Sequence, residues 1–377
     1  SGTSVRLTID RDVQWVAQNA ISQAVSASRA QSGTVIVMDP KTGAILAQAS
    51  APTFDPSVSS SITLEKLKNP AVQEVYEPGS TGKVITVAAA LEEGLVSPES
   101  VFTIPYKMKV ADQYFHDHEK HPTQRLTTAG VLAVSSNTGS IQIGQKLGKD
   151  VLYDYLRKFG IGESTNSKLP GESAGILHPV KNWSGTSLPT IAFGQGYSLT
   201  AMQATSVFAT IANDGVRVSP SILAGVVDES GKYTPAKPNN SVRVLSSQTA
   251  TDMRAMMESV VSSNGTAPSA AISGYRIAGK TGTANRFNTA CKCYSGYTAS
   301  FIGFAPADAP EYVISVTIQD PKGMHWGGAL AGPVFKKVMS FVLQSERVQP
   351  TIAPKTTFTL TEAALKSSKI KNDKAGA

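Results

Sequence analysis

Apolar positions fall into three patterns along the chain, and their order predicts an architecture. Val5-Arg6-Leu7-Thr8-Ile9-Asp10 alternates as a strand does, and Val13, Val16, Ala20 and Ile21 follow at helical spacing. Residues 34–38 and 44–47 read as two strands joined by the turn Asp39-Pro40-Lys41-Thr42-Gly43, an antiparallel hairpin. Pro52, Pro56 and the serine run 57–61 predict a loop, and the small apolar stretch 81–95 predicts a buried helix. Further helices are expected over 128–147, 200–213 with a stop at Gly215, 247–262 ending at Asn264-Gly265, and 331–343. Strands are expected over 275–278, 297–304 and 312–318. Such a chain unites its two ends in one antiparallel sheet, with a helical lobe at about residues 80–245, an α+β architecture. After Arg347 the chain is Pro/Thr-rich and then Lys-rich without apolar periodicity. Residues 346–377 therefore read as a disordered tail, with a local helix at 361–365 as its only structure.

The remaining composition narrows this only slightly. With 377 residues and 41% hydrophobic content the chain can bury a substantial core. A net charge of +7 favours anionic surroundings, whether nucleic acid, lipid or wall polymer. The excess is spread along the chain except in its last dozen residues, and no nucleic-acid motif accompanies it, so no nucleic-acid partner is expected. No stretch reaches the ~20 apolar residues of a membrane span. Ser1-Gly2-Thr3 carries neither initiator Met nor signal peptide and reads as a cut end. Cys291 and Cys293 are too few for a disulfide scaffold or a cysteine zinc site. A bridge between extended residues two apart approaches the upper Cα limit of ~7 Å, so thiols and a local bridge both stay open.

Three motifs carry candidate chemistry. In Glu77-Pro78-Gly79-Ser80-Thr81-Gly82-Lys83, Pro78-Gly79 breaks the chain just before a helix. This sets Ser80 at a positive helix N-terminus, with Lys83 on the same face and able to reach its oxygen. A lysine that takes a proton needs its neutral form, which burial and nearby positive charge supply. Ser135-Ser136-Asn137 offers a second hydroxyl and an amide. Lys280-Thr281-Gly282-Thr283, directly after a strand, offers a cation and two hydroxyls for a carboxylate, with Gly282 allowing close approach of a substrate backbone. Each motif has a copy with an ordinary reading: Ser368-Lys369-Ile370-Lys371 in the tail, Ser262-Ser263-Asn264 at a helix end, and Lys41-Thr42-Gly43 in a turn. Only the ordered set, separated by 55 and 145 residues, is specific.

That ordered set is the one by which penicillin-binding proteins and serine β-lactamases are recognised. Leu7-Thr8-Ile9-Asp10, Pro52-Thr53-Phe54-Asp55-Pro56, the stretch from Phe193-Gly194-Gln195-Gly196 to Thr200, and Ala278 to Ala284 also resemble class B penicillin-binding proteins, over about residues 3–345. Within the class the chain looks like septal division transpeptidases. The stretch from Cys291 to Asp308 resembles the actinobacterial branch. Gly82 departs from the pattern, since many relatives carry a bulky residue there.

The resemblance implies a transpeptidase fold and a peptidoglycan D,D-transpeptidase working through a Ser80 acyl-enzyme. Lys83 would be the base, Ser135 the proton relay, Asn137 the holder of the donor amide, and Lys280, Thr281, Gly282 and Thr283 the carboxylate end. It implies no cofactor. Implied partners are stem peptides, lipid-linked glycan, β-lactams and division proteins including a glycan polymerase. The implied location is the extracytoplasmic face of the plasma membrane, with an anchor and pedestal in the parent protein. A serine β-lactamase, a β-lactam sensor domain and a scaffold with a decayed site are the rivals. His116, His118 and His121, with Asp117 and Glu119, form a cluster that reads as a polar loop beside the cleft, with weak zinc binding as the sharper alternative. Trp183 and Trp326 read as core or cleft-wall residues, Trp326 as a possible cleft contact.

Overall fold

A computed structural model describes residues 4–288, 291–351 and 357–375. Strand β1 (Ser32–Met38) is buried on both faces: Val35 and Val37 join one hydrophobic cluster, Ile36 and Met38 the other. Double burial explains why this run is continuously apolar rather than alternating. It pairs antiparallel with β2 (Ile45–Ala51), the predicted hairpin. From the other end of the chain come β3 (Ala278–Asn288), β4 (Cys293–Ala305) and β5 (Tyr312–Gln319). The five strands form one antiparallel sheet in the order β3-β4-β5-β1-β2, which leaves β3 on an edge. The two ends of the chain do meet in one sheet, and the α+β class holds.

Helix α1 (Arg11–Ser28) begins where the Asp10 carboxylate accepts the N–H groups of Asp12 and Val13, which would otherwise lack partners. It packs with α7 (Gly327–Ser345) on one face of the sheet. The other face carries α2 (Lys83–Glu92), α5 (Ala201–Ala212) and α6 (Ser247–Val261). Every residue of α5 is buried, and Thr200 and Gln203 cap its start reciprocally.

Three expectations need correction. The helix read over 128–147 is two helices, α3 (Thr128–Ala133) and α4 (Asn137–Leu147), broken at Ser135 with φ +60°. The strand read over 275–278 instead starts at Ala278 and runs through Lys280-Thr281-Gly282. The tail is not structureless where it is described. Thr127 donates its N–H to Leu360 O and its hydroxyl to Thr359 O, Leu126 bridges Thr361, and α8 (Glu362–Ala375) follows, tied by Glu362 to Arg125. These contacts include backbone and hydroxyl bonds and an ion pair with residues over 200 positions away, beside Phe358 and Leu360 packed on the core, and a search for apolar periodicity does not detect them.

Cys291 and Cys293 form a disulfide with Cα atoms 5.2 Å apart. Lys292, at φ +52°, turns the chain between them and shortens the span that an extended backbone would present.

Candidate active site

Ser80 lies in the 3-10 turn Gly79–Gly82 that leads into α2. Gly79 takes φ +55° and packs against Ala284 of β3, where a Cβ would stand 2.8 Å from the alanine Cβ. Its N–H donates to Gly194 O at 2.8 Å. The turn is thereby wedged between the edge strand and the Phe193–Thr200 stretch, and Ser80 is only 5% exposed.

Lys83 opens α2 with no exposed surface. Its Nζ donates to Ser135 O at 2.6 Å, Ser135 Oγ at 3.2 Å and Asn137 Oδ1 at 2.7 Å. These three bonds use its full donor set. The expected contact with Ser80 is not among the hydrogen bonds of the described residues; the lysine is held by the second motif. Lys280, also fully buried, donates from the opposite side to Ser135 Oγ at 2.8 Å. Burial pushes Lys83 down to about 7, against the opposing pull of Asp117. Burial and then the charge of Lys83 push Lys280 well below the ordinary lysine value.

The left-handed backbone of Ser135 turns its hydroxyl between the two lysines, and Ser136 then caps α4 by accepting from Gly139 N–H. Asp117, treated in the sequence only as a possible metal ligand, organises this break. Its carboxylate accepts from Asn137 N–H, from Thr138 N–H at 3.0 Å and from Ser136 Oγ at 2.8 Å. The two N–H groups share Oδ1, and His121 Nε2 lies 3.0 Å from Oδ2, the oxygen that also accepts from Ser136. A carboxylate at a helix N-terminus is favoured by both the free N–H groups and the dipole. No local pattern signals this role, since Asp117 precedes its partners by about 20 residues. The histidine cluster is the loop that delivers Asp117. Among the described residues no group of three or more His, Cys, Asp or Glu side chains is placed to hold a metal ion.

Thr281 shares a hydrogen bond of 2.8 Å with Thr266, and Thr283 accepts from Gly327 N–H at 3.1 Å, so both threonines face the cleft beside α7. Gly282 also has a reason within the protein's own packing. A Cβ there would lie 2.3 Å from Ser300 Oγ and 3.0 Å from Pro78 O, so the glycine fits β3 against the protein's own Ser80 turn. At Gly82 a Cβ would meet Tyr197 Oη at 2.4 Å; the buried Tyr197 ring fills that space.

Ser80 sits where two cavities meet, of about 540 and 320 Å³. His118 and Trp326 line both, with rings in edge contact at 5.6 Å, so Trp326 is a cleft residue. Trp183 donates to His178 O and packs on Tyr153 at the edge of the core, away from this chemistry. The motif copies stay outside the lysine–serine cluster: Lys41-Thr42-Gly43 in its turn, Ser368 bonded to Leu365 O within α8, Ser262 at the end of α6. Asn264 nevertheless lines the far wall of the larger cavity.

The family model for the penicillin-binding protein transpeptidase domain matches residues 33–340. The chain is 40% identical over 358 residues to penicillin-binding protein PbpB of Mycolicibacterium smegmatis, covering 92% of this chain and 55% of that protein. It is 35% identical over 352 residues to peptidoglycan D,D-transpeptidase FtsI of Escherichia coli, covering 92% and 57%. The chain thus spans little more than half the length of these curated relatives. The crystal structure of penicillin-binding protein 3 from Mycobacterium tuberculosis complexed with aztreonam superposes with a TM-score of 0.89 at 38% identity, covering 95% of this chain and 82% of that one. Motifs, sheet order, buried lysine pair and these likenesses agree: the chain belongs to the penicillin-binding protein transpeptidase domain family.

Proposed function

We propose that this chain is the catalytic domain of a serine-type peptidoglycan D,D-transpeptidase that crosslinks wall stem peptides during septal wall synthesis. The observation that carries this reading is Ser135 Oγ bridging two fully buried lysines, 3.2 and 2.8 Å away, beside the Ser80 turn. A lysine held near 7 can accept a proton at neutral pH.

In this reading Ser80 Oγ loses its proton to Lys83 and bonds to the carbonyl carbon of the penultimate D-alanine. The N–H groups of Ser80 and Thr283 hold the oxyanion. The peptide C–N bond then breaks. Ser135, fed by the lysine pair, passes a proton to the departing D-alanine amine, and the acyl group stays on Ser80. Asn137 binds the donor amide, and Lys280, Thr281 and Thr283 hold the terminal carboxylate, with Gly282 keeping β3 close to the Ser80 turn. An amine from a neighbouring stem releases the acyl group and restores Ser80. A β-lactam that mimics the D-alanyl-D-alanine end would acylate the same oxygen.

The reading extends to the longer protein. It would be held at the extracytoplasmic membrane face by an N-terminal anchor, working with lipid-linked glycan, a glycan polymerase and other division proteins. Among the described residues no helix is long and apolar enough to cross a membrane.

Time-resolved intact mass with benzylpenicillin, followed by peptide mapping, tests the core of the proposal. A persistent single adduct on the Ser80 peptide, absent from Ser80→Ala, is expected. Rapid turnover with release of hydrolysed drug would make the chain a β-lactamase. An adduct that persists in Ser80→Ala would remove Ser80 from its role.

A further inference from the structure

The two cavities that meet at Ser80 differ in what lines them. Thr266 and Thr281 line only the larger one, while Asn137 and Asn285 line only the smaller. If Thr281 holds the donor carboxylate and Asn137 the donor amide, the scissile bond leaves its amine product on the larger side. The acyl group stays on the smaller side. An attacking amine retraces the path of the leaving amine, by microscopic reversibility. It therefore arrives through the larger cavity.

That cavity does not end at the cleft mouth. It shares Gln124, Val134 and Asn264 with a third cavity of about 820 Å³, whose outer wall is the C-terminal segment, residues 360–366. The wall is anchored: Thr127 binds Leu360 and Thr359, and Arg125 pairs with Glu362 through two hydrogen bonds of 3.0 and 3.2 Å. Val134, directly before Ser135, is 43% exposed and floors the passage with apolar surface. Arg125 and Lys366 outnumber Glu362, and Lys366 is largely exposed, so the far end carries a cationic excess suited to peptide carboxylates.

We propose that the acceptor, a peptide with a free side-chain amine and carboxylate groups, lies in this passage, its amine at Ser80 and its body against the C-terminal segment. The inference rests on the transpeptidase reading. In the transfer step the amine nitrogen bonds to the acyl carbon, the ester C–Oγ bond of Ser80 breaks, and one amine proton ends on Ser80 Oγ.

The test uses the whole chain and an acyl-D-alanyl thioester donor, with two acceptors: D-alanine, and a tetrapeptide containing a diamino acid. Ala364→Trp fills the passage with bulk, and Lys366→Glu reverses its charge. Both variants are expected to lower tetrapeptide transfer relative to hydrolysis about tenfold, a difference of about 1.4 kcal/mol. Transfer to D-alanine, which needs only the space near Ser80, should change less than twofold. Unchanged tetrapeptide transfer in both variants would overturn the passage. So would an equal loss for both acceptors, or an unsubstituted chain that transfers to D-alanine and never to the tetrapeptide. An unsubstituted chain that is not acylated at all would instead overturn the transpeptidase reading on which the inference rests.

Discussion

Lys83 and Lys280 reach the same oxygen: their Nζ atoms stand 3.2 and 2.8 Å from Ser135 Oγ, and neither side chain is exposed. Burial disfavours both ammonium groups, and at Lys280 the charge of Lys83 adds to it, so the pair releases a proton below the ordinary lysine range. The arrangement sets two lysines of lowered proton affinity in contact with one relay hydroxyl.

The acylation rate should therefore carry the titration of this pair. Below about 7 Lys83 is protonated and cannot take the Ser80 proton; above it the neutral amine can. The second-order rate of benzylpenicillin acylation is expected to rise about tenfold per pH unit up to about 7 and then level. Stopped-flow acylation between pH 5 and 9 checks this, and a flat profile would remove Lys83 from the proton path. Lys83→Arg keeps the charge but cannot deprotonate, and should cost about 10²–10⁴-fold.

Asp117 acts on the same lysine through position and charge. Its carboxylate holds Ser136, Asn137 and Thr138 in place and raises the Lys83 value against burial. Asp117→Asn should lower the acylation plateau about 10–100-fold through misplacement of the relay. Loss of the negative charge should also move the acid limb of the profile to lower pH. A lower plateau with an unmoved limb would make Asp117 a purely structural cap.

Ser135 separates backbone need from chemical need. At φ +60° glycine is the residue with least strain, which offsets part of the cost of taking a shared acceptor from two buried lysines, so Ser135→Gly should melt only a few degrees below the parent chain. It removes the oxygen between the lysines, and acylation should fall about 10²-fold or more. Thermal melting and acylation kinetics on one preparation test both halves.

Gly82 and Tyr197 form a coupled pair. Among the described residues the buried Tyr197 Oη has no hydrogen-bond partner, and it stands where a Gly82 Cβ would point. Gly82→Ala should destabilise by about 1–3 kcal/mol through overpacking. Tyr197→Phe should be neutral or stabilising, since it removes an unpaired buried hydroxyl. In the double variant the tyrosine oxygen is absent, and the alanine should cost at least 0.5 kcal/mol less. Additive costs in denaturant unfolding would show that the contact is not shared.

By itself the amino-acid sequence determined the α+β class, the hairpin that meets the C-terminal strands, and the three motifs. Each of these is written in a local pattern or an ordered set: the apolar run 34–38, the turn at 39–43, Ser80 through Lys83. The break at Ser135 was only half legible: Ser135-Ser136-Asn137 reads as a loop or helix edge, while the span 128–147 around it reads as one helix. It is the carboxylate of Asp117, delivered by a loop about 20 residues upstream, that accepts the N–H groups of a second helix start. The tail likewise took its place from Arg125 and Thr127, far from it in sequence. A second reason for Gly282 was hidden for the same cause, because the atoms it must avoid belong to Pro78 and Ser300. Periodicity reports what a segment buries. Only the tertiary structure decides which distant polar group completes a helix end, fills a gap or lowers a lysine's proton affinity, because these are properties of two segments brought together.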